Sequence, residues 1–260
     1  MNDQPGAFAV LFTRQFWDDR YGSADQLWSG RPNSQLVDQL AGLPPGDALD
    51  VGSGEGADAI WLALQGWTVT AVDISAVALE RAAGHAARCG AEIAGRISWQ
   101  QADLLSWDPG DQRYDLVSAL FMYLPEAQIE SLHRRLAAAV RPGGTLLIVL
   151  HHPDGHHPGP RADAASPPDR ADGHHPGPRA DAGSPPDHPV PARSNAGGLA
   201  DTADGRALLA LGAQPERLAA TLDPSEFEIL VAGPVSREVT GPDGQPATVI
   251  DTVLRAVRRA

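Results

Sequence analysis

The run Asp50-Val-Gly-Ser-Gly-Glu-Gly56 constrains the fold of this chain more than any other part of it. It overlaps the end of the short apolar run Ala48–Val51, and its three glycines stand at alternate positions. This pattern predicts a strand that turns sharply into a helix, because side chains there would keep a ligand away from the backbone. The next apolar run, Thr68–Val72, ends in Asp73, an acid suited to accept hydrogen bonds from ribose hydroxyls. The chain is therefore predicted to bind a cofactor that contains a nucleoside.

Two cofactors fit the glycine run when it is taken alone. Gly52, Gly54 and Ala57 match the dinucleotide fingerprint G-x-G-x-x-G/A, which would indicate an NAD(P)-dependent oxidoreductase. Further motifs follow in a fixed order along the chain: Gln101-Ala-Asp103-Leu after the run Ile97–Gln101, Tyr114-Asp-Leu-Val117 at a fourth strand, and Arg141-Pro-Gly-Gly144 before the run Thr145–Leu150. An ordered set of motifs is more specific than any single one.

In this order the motifs resemble those of the class I S-adenosylmethionine-dependent methyltransferases. The N-terminal runs Phe16-Trp-Asp-Asp-Arg-Tyr21 and Trp28-Ser-Gly-Arg-Pro-Asn33 resemble the small-molecule branch, which includes thiopurine-type and tellurite-resistance-type enzymes. The resemblance covers roughly residues 16–150 well and 215–260 more loosely. It implies an α/β fold: a Rossmann-like, doubly wound sheet of seven strands, mostly parallel, with an antiparallel last strand.

The resemblance also implies roles for residues that match its motifs. Asp50 is expected to orient the glycine loop and favour the cofactor's ammonium group, while Gly52, Ser53 and Gly54 pass beneath the methionine and ribose. Around the nucleoside, Asp73 takes the ribose hydroxyls and Asp103 accepts from the adenine amino group. The remaining implied contacts are Ile74 and Leu104 beside adenine, and Ala119 and Leu120 at the methyl-transfer end.

The segment before the first strand is expected to act as a lid over the cofactor. Its candidate residues are Trp17, Arg20, Tyr21, Trp28 and Arg31. The aromatic side chains either stack on a ligand or enclose the sulfonium by cation–π contact, or they hold the lid helix to the sheet. Arg31 is a candidate partner for the methionine carboxylate or for an acidic acceptor.

His151 and His152 are the candidate catalytic residues, because they directly follow the fifth strand. Open α/β sheets bind their ligands at the carboxyl edge of the strands, so either histidine could take a proton from the acceptor or simply face solvent. We predict no metal site. His133 is predicted to lie on the surface of its helix, and Cys89 to be buried or half-buried.

Composition excludes several other classes of protein. The net charge of −13 argues against a nucleic-acid partner, which would require a concentrated basic face. All twenty basic residues are arginine, so a Schiff-base lysine, a P-loop lysine and a Tyr/Lys dehydrogenase pair are excluded. No apolar run approaches the roughly 20 residues that cross a bilayer, and no signal peptide is evident. A single cysteine is consistent with the cytoplasm, whereas the oligomeric state is open.

The pattern along the chain predicts one domain with an insertion. We expect lid helices over 1–47, the cofactor-binding core over 48–150, a disordered insertion over 151–198, and a C-terminal helix with closing strands over 199–260. The insertion contains a 16-residue segment at Asp154–Asp169 that recurs at Asp172–Asp187 with one change. It is rich in proline and histidine and has almost no large apolar residue, so burial cannot offset the entropy of ordering it.

Individual elements are also predicted from the sequence. Ser75 is expected to cap a helix that runs to about Cys89, with Gly90 following it. The other expected elements are a helix from Pro125 to before Pro142, a helix at Pro215–Leu222, and strands at Phe227–Ala232 and Thr248–Ala256.

These observations predict an S-adenosylmethionine-dependent methyltransferase that acts on a small molecule by in-line transfer. Holding the acceptor in line with the methyl group can lower the barrier by about 7–11 kcal/mol, so no conspicuous catalytic triad is required. The alternatives are an NAD(P)-dependent oxidoreductase and a protein that binds S-adenosylmethionine without catalysis.

Overall fold

The computed structural model describes residues 9–111, 113–122, 124, 126–152, 215–240 and 245–260. A short 3-10 turn at Ala9–Phe12 comes first. The helices are α1 (Arg14–Gly22), α2 (Ser34–Gln39), α3 (Ala57–Leu64), α4 (Ala76–Arg88), α5 (Ala91–Gly95), α6 (Glu126–Ala139) and α7 (Pro215–Ala219). The strands are β1 (Asp47–Val51), β2 (Thr68–Asp73), β3 (Ile97–Gln101), β4 (Tyr114–Leu120), β5 (Val140–His151), β6 (Phe227–Thr240) and β7 (Pro246–Arg258).

The seven strands form one sheet in the order β3-β2-β1-β4-β5-β7-β6. The first five strands are parallel to one another, whereas β7 runs antiparallel to both β5 and β6. The strand order reverses between β1 and β4, which is the place where open α/β sheets bind ligands. The predicted fold, including the antiparallel last strand, is confirmed.

Apolar residues cover both faces of the sheet. On one face, Leu132 and Leu136 of α6 pack with Leu146 and Ile148 of β5, and Leu218 of α7 belongs to the same cluster. On the other face, Leu36 of α2 and Leu62 of α3 pack against the sheet with buried side chains that include Leu116, Leu147 and Val253. Central strands covered on both faces read as continuous apolar runs, and this is why the sequence reveals them.

The helix after β2 is confirmed together with its cap. The Ser75 hydroxyl accepts a hydrogen bond from the Ala78 amide, and Cys89 ends the helix before Gly90, whose φ is +110°. The single turn of helix that follows, α5, was not predicted. Helix α7 is shorter than the predicted Pro215–Leu222, and the last two strands are longer than predicted because they pair with each other over almost their full length.

The Arg141-Pro-Gly-Gly144 segment lies inside strand β5 rather than before it. The pairing of β4 with β5 shifts register between Tyr114 and Leu116, which leaves room for the extra residues as a bulge. The Arg141 guanidinium donates hydrogen bonds to Asp115 and Asp47 and to the backbone oxygen of Arg113. These bonds attach the bulge to the amino edge of the sheet.

Two predictions of burial were wrong. His133 is 1% exposed and lies within the core-facing side of α6, although it was expected at the surface. Its position falls on the same stripe as Ile129, Leu132 and Leu136, at helical spacing, and that stripe decides its orientation. Cys89, expected to be at least half-buried, is exposed at the end of α4.

The predicted disordered insertion falls almost entirely on residues 153–214, and the turn at Gly241–Gly244 also lies outside the described residues. Within the part of the chain that the structure describes, no helix has the length and apolar character needed to cross a membrane.

Candidate active site

The glycine loop between β1 and α3 turns tightly against the end of β2. The amides of Gly52 and Ser53 both donate to the Val72 carbonyl, at 2.8 and 3.1 Å. At Gly54 φ is +52°, and a Cβ there would lie 2.9 Å from the Tyr21 hydroxyl. Glycine is therefore required at this position both for its backbone conformation and for the close approach of the lid.

Asp73 ties the end of β2 to the glycine loop. Its Oδ2 atom accepts a hydrogen bond from the Gly54 amide at 2.8 Å, and its Oδ1 atom accepts from the Ser75 amide at 2.8 Å. The carboxylate is buried, which raises its pKa, while the hydrogen bonds from these amides oppose that rise. Each oxygen retains a second lone pair, so the predicted contact with ribose hydroxyls is compatible with this geometry.

Asp50 is buried at the end of β1 with one carboxylate oxygen unsatisfied. Its Oδ1 atom accepts a hydrogen bond from the Ser118 hydroxyl at 3.0 Å, while Oδ2 has no partner among the described residues. Burial, followed by repulsion from Asp58, raises the pKa of Asp50. The Ser53 hydroxyl is also buried without a partner among the described residues. Such orphaned polar atoms are costly, and a ligand with a cationic donor would satisfy the carboxylate.

The lid lies on the glycine loop through an aromatic pair. Trp28 donates its indole N–H to the Tyr21 hydroxyl at 3.1 Å, and the Trp17 and Tyr21 rings are 6.0 Å apart. Tyr21 is buried, whereas Trp28 is 37% exposed. Burial, and then the charge of Asp73, raise the pKa of the Tyr21 hydroxyl, which stays protonated and able to donate.

The two predicted lid arginines differ in position. Arg20 is half-buried, its Nε atom has no partner among the described residues, and burial lowers its pKa. Arg31 is exposed and makes no ion pair with any described residue. Arg20 fits a ligand carboxylate better than Arg31, because its half-buried Nε–H lacks a partner among the described residues whereas Arg31 is exposed to solvent.

Three carboxylates that the sequence reading passed over attach the lid to the core. Glu55 accepts hydrogen bonds from the amides of Leu27 and Trp28 and pairs with Arg81 at 3.1 Å. Two further contacts have the same character: Asp58 accepts from the Asn33 amide at 2.6 Å, and Asp18 accepts from the Ser75 hydroxyl at 2.7 Å. A signal was available, because Glu55 is a second charged residue in the run Asp50–Gly56 and lies between two glycines.

The residues expected around adenine lie at the carboxyl ends of β2 and β3. Ile74 is half-buried and Leu104 is buried, while Asp103 is exposed. One oxygen of Asp103 accepts from the Leu105 amide at 2.9 Å, which holds the turn that follows β3. The proximity of these side chains along one edge of the sheet agrees with their predicted role, which stays a prediction.

Just after β4, Phe121 and Met122 contact residues of the candidate site, although Ala119 and Leu120 were the residues predicted there. Ala119 and Leu120 are buried in the core. Beyond them, Met122 lies so close to Gly52 that a Cβ on this glycine would be 3.0 Å from its Cγ atom. Phe121 adopts a φ of +52°, which is unusual for a bulky residue, and its ring stacks on His151 with centroids 4.2 Å apart. Neither Phe121 nor Met122 was predicted.

His151 lies at the end of β5, beside two charged residues delivered by the C-terminal strands. Its Nδ1 atom is 3.7 Å from Oδ1 of Asp251, the residue opposite it on β7. Arg237 of β6 donates its Nε–H to Oδ2 of Asp251 at 2.5 Å, and its guanidinium carbon is 5.7 Å from the Phe121 ring centroid. His152 is half-buried, and its amide donates to the Ile250 carbonyl. Sequence reasoning did not find Asp251 or Arg237, because only the antiparallel pairing brings them to His151.

The central part of the chain is similar to known methyltransferases. The family described as "Methyltransferase domain" matches residues 48–144. A curated relative, 2-heptyl-1-hydroxyquinolin-4(1H)-one methyltransferase of Mycobacteroides abscessus, is 30% identical over 142 residues, which are 50% of this chain and 61% of the relative. The chain thus matches less than two thirds of that relative's length.

Solved structures agree on the fold. One matching structure comes from work on the conversion of a disulfide bond into a thioacetal group during echinomycin biosynthesis. Its TM-score is 0.59 at 20% identity, and the match covers 95% of this chain and 92% of the matched chain. The glycopeptide N-methyltransferase MtfA, complexed with S-adenosylmethionine, has a TM-score of 0.51 at 16% identity, covering 88% and 94%. These structures support the fold, and the family match supports a resemblance to methyltransferases over residues 48–144.

Proposed function

We propose that this protein transfers the methyl group of S-adenosylmethionine to a small molecule, because residues 48–144 match the family described as "Methyltransferase domain". The acceptor site in this proposal lies at the carboxyl edge of β1, β4 and β5. The observation that carries the proposal is the buried Asp50 carboxylate, which retains an unsatisfied oxygen at the head of the glycine loop. The named acceptor of the Mycobacteroides relative, a small quinolone, supports a small acceptor here.

The residues present fit this cofactor. Asp50 and Ser53 would offer the ammonium end buried oxygens that have no partner among the described residues, and Arg20 would offer its similarly unpartnered Nε–H to the carboxylate. Asp73, which already accepts from the Gly54 amide, would offer its remaining lone pairs to the ribose hydroxyls, and Asp103 would accept from the adenine amino group. When bound, the cofactor supplies a methyl group on a sulfonium, a carbon that is already activated for displacement.

The contribution of the chain is then mainly position and the exclusion of water. Tyr21 and Trp28 close over Gly54, and Met122 packs against Gly52, so the loop is covered from two sides. Holding the acceptor atom in line with the methyl–sulfur bond can supply about 7–11 kcal/mol without any covalent chemistry by the protein.

The first experiment measures which cofactor stabilises the protein. Thermal unfolding and calorimetry are carried out with S-adenosylmethionine, S-adenosylhomocysteine, NAD⁺ and NADH. A ligand that binds only the folded state stabilises it by about 2.7 kcal/mol at 100 times its Kd, so a true cofactor raises Tm clearly. We expect stabilisation by the two sulfur nucleosides; stabilisation by NAD⁺ or NADH alone would overturn the proposal in favour of an oxidoreductase.

The second experiment tests the assigned residues and the transfer itself. Asp103→Asn alters an exposed side chain at the adenine end and is expected to weaken binding of S-adenosylhomocysteine without lowering Tm. The matched control, Asp38→Asn, changes an exposed acid on α2 and is expected to bind normally. A small-metabolite extract is then incubated with methyl-labelled cofactor. Tight binding with no labelled product would indicate a protein that binds the cofactor without catalysis.

A further inference from the structure

A cluster of four side chains at the acceptor end of the sheet has no role in holding the cofactor. It consists of Phe121, His151, Arg237 and Asp251, and we call it the histidine cluster. Its members come from four strands or their ends: β4, β5, β6 and β7. Three of the four are polar: His151 and Arg237 converge on the buried carboxylate of Asp251, at the edge where the proposed acceptor site lies.

The position of the histidine cluster relative to the glycine loop follows from the strand order. Strands β1, β4 and β5 are consecutive neighbours, and adjacent strands are about 4.8 Å apart. The end of β5 is therefore roughly 10 Å from the glycine loop at the end of β1. Met122, which contacts Gly52, and Phe121, which stacks on His151, join the two places through adjacent residues. An acceptor between them would have the cofactor on one side and His151 on the other.

Asp251 is a fixed anion inside this cluster. Its side chain is completely buried, and burial alone would raise its pKa. The contacts with His151 and Arg237, and the charge of Arg237, more than reverse that effect, so the pKa of Asp251 lies below its ordinary value. A buried carboxylate that is held ionised is a strong acceptor for the N–H of a neighbouring ring.

The orientation of His151 follows from this anion. Its Nδ1 atom faces Asp251 Oδ1 at 3.7 Å, which is an ion-pair distance rather than a direct hydrogen bond. Catalytic contacts of this kind are often long without substrate and tighten when it binds. A proton on Nδ1 is favoured by the carboxylate, so the unshared electron pair is on Nε2, at the opposite edge of the ring. Stacking on Phe121 holds the plane of the ring.

We propose that His151 is a catalytic residue that takes the proton of a hydroxyl-bearing acceptor, with Asp251 and Arg237 as its positioning residues. The proposal rests on the proposed function and names its substrate class. The O–H bond of the acceptor breaks and its proton goes to Nε2 of His151. The same oxygen forms a bond to the methyl carbon, while the methyl–sulfur bond breaks and its electron pair stays on sulfur. The side chain of His151 is 22% exposed, so the proton then passes to solvent.

The choice of a hydroxyl over a thiol comes from what a base is needed for. A thiol ionises near pH 8.5 and is partly thiolate at neutral pH, whereas a phenol-like hydroxyl ionises near pH 10. A thiol acceptor would therefore gain little from a positioned imidazole, and a hydroxyl acceptor would gain about 10²–10⁴-fold. Asp251 and Arg237 are charged groups that the neighbouring described strands bring to face His151.

The test compares oxygen and sulfur acceptors in the full-length protein. Methyl-labelled S-adenosylmethionine is supplied with hydroxylated aromatic probes, such as 4-hydroxyquinoline and catechol, and with thiophenol. We expect transfer to at least one hydroxyl probe, and we expect His151→Gln to lower kcat for it by about 100-fold or more. Binding of S-adenosylhomocysteine by this variant is expected to be unchanged, because His151 does not contact the glycine loop.

The positioning residues have a readout that does not depend on activity. Long-range nitrogen–proton NMR of histidine reports which ring nitrogen carries the proton. We expect the Nδ1–H tautomer of His151 in the wild-type protein, and a mixture of tautomers in Asp251→Asn and Arg237→Gln. Arg237→Lys, which keeps a cation beside Asp251, is expected to restore part of the wild-type pattern. Glu238→Gln, on the same strand and exposed, serves as the matched control.

Each result separates this proposal from the one on which it depends. Failure to bind S-adenosylmethionine would overturn the proposed function itself. Binding of the cofactor with transfer only to thiophenol, or to none of the probes, would overturn the hydroxyl acceptor alone. Full transfer to a hydroxyl by His151→Gln, or an unchanged tautomer in Asp251→Asn, would overturn the role of the histidine cluster.

Discussion

At the scale of single residues, His133 is a histidine buried in the core. Its two ring nitrogens have no hydrogen-bond partner among the described residues. On α6 it lies next to Leu132 and about one turn before Leu136, and both of these leucine side chains are fully buried. Burial lowers its pKa to about 4, so the imidazole is neutral in the folded protein at physiological pH. In the unfolded chain the same group binds a proton near its ordinary value of 6.5.

This difference predicts a loss of stability in mild acid. Between pH 6.5 and about 4 the unfolded state binds one more proton at His133 than the folded state, so stability falls as the pH falls. At about pH 5 the loss from this residue is roughly 2 kcal/mol relative to about pH 7.5. His133→Leu is expected to remove that part of the pH dependence. Urea unfolding of both proteins at the two pH values measures it, and an equal loss in the variant would contradict the prediction.

A second prediction at this scale concerns the close approach at Gly54. Gly54→Ala places a methyl group 2.9 Å from the Tyr21 hydroxyl on a backbone with φ of +52°. The matched control is Gly42→Ala, where φ is +81° and no atom lies within 4 Å of the added carbon. Both changes are expected to destabilise the protein by about 1 kcal/mol through backbone strain. Only Gly54→Ala is expected to weaken binding of S-adenosylhomocysteine, measured by calorimetry; equal affinities would contradict it.

At the scale of elements, the lid depends on the carboxylate of Glu55. Glu55→Gln removes the charge that pairs with Arg81 and weakens the hydrogen bonds from the amides of Leu27 and Trp28. Hydrogen bonds to a charged group contribute about 1.5–3 kcal/mol, so amide exchange at these two residues is expected to accelerate by about 10-fold or more. Hydrogen-exchange mass spectrometry of the lid peptide measures it.

The control for the lid prediction is Glu92→Gln. Glu92 pairs with Arg96 on the surface of α5 at 3.2 Å, and an exposed pair of this kind contributes little. Lid exchange is expected to be the same as in the wild-type protein. If Glu55→Gln left exchange at Leu27 and Trp28 unchanged as well, another contact would have to hold the lid.

Elements whose ends carry a motif were predicted to within a residue or two. Strand β1 ends in the glycine run, β2 ends at Asp73, β3 ends just before Asp103, and β4 begins at Tyr114. The start of β5 was misplaced, because Pro142-Gly-Gly144 has the composition of a turn, and only pairing with β4 reveals a bulge. Helix α5 was missed since a single turn between two glycines has no apolar periodicity to reveal it.

The residues of the site were predicted only where they lie close together in the sequence. The glycine loop, Asp50 and Asp73 lie within one strand–turn–helix–strand unit, so spacing identifies them. Asp251 and Arg237 belong to the histidine cluster only through the antiparallel register that places Asp251 opposite His151. That pairing brings together residues a hundred positions apart, and no local pattern contains it. His133 was misjudged although its helical stripe was visible, because its basic neighbours Arg134 and Arg135 suggested a surface position.

At the scale of the whole molecule, the folding unit is larger than the matched family domain. The domain match ends at residue 144, yet β7 lies between β5 and β6, and Val253, Leu254 and Ala256 are fully buried. The last two strands therefore complete the core of the sheet. They also supply two of the four residues of the histidine cluster, so the fold and the proposed acceptor site depend on the same hairpin.

This arrangement predicts opposite outcomes for two deletions. The sheet is built from residues on both sides of 153–214, a range that lies outside the described residues and contains most of the predicted insertion over 151–198. Deleting 155–186, which removes most of the duplicated sequence, is expected to leave Tm and binding of S-adenosylhomocysteine unchanged. Ending the chain after His152 removes β6 and β7 and is expected to abolish cooperative unfolding, because β5 then loses its neighbour and its buried contacts.

The two deletions separate a passive insertion from a working part of the enzyme. Thermal unfolding, calorimetry and labelled methyl transfer are measured on both. If deleting 155–186 preserved Tm and cofactor affinity but reduced transfer, this segment would act on the acceptor and the prediction of a passive linker would be wrong. A cooperative transition in the chain that ends after His152 would instead show that the matched domain folds without the C-terminal hairpin. The histidine cluster would then be an addition to a complete fold rather than a part of its core.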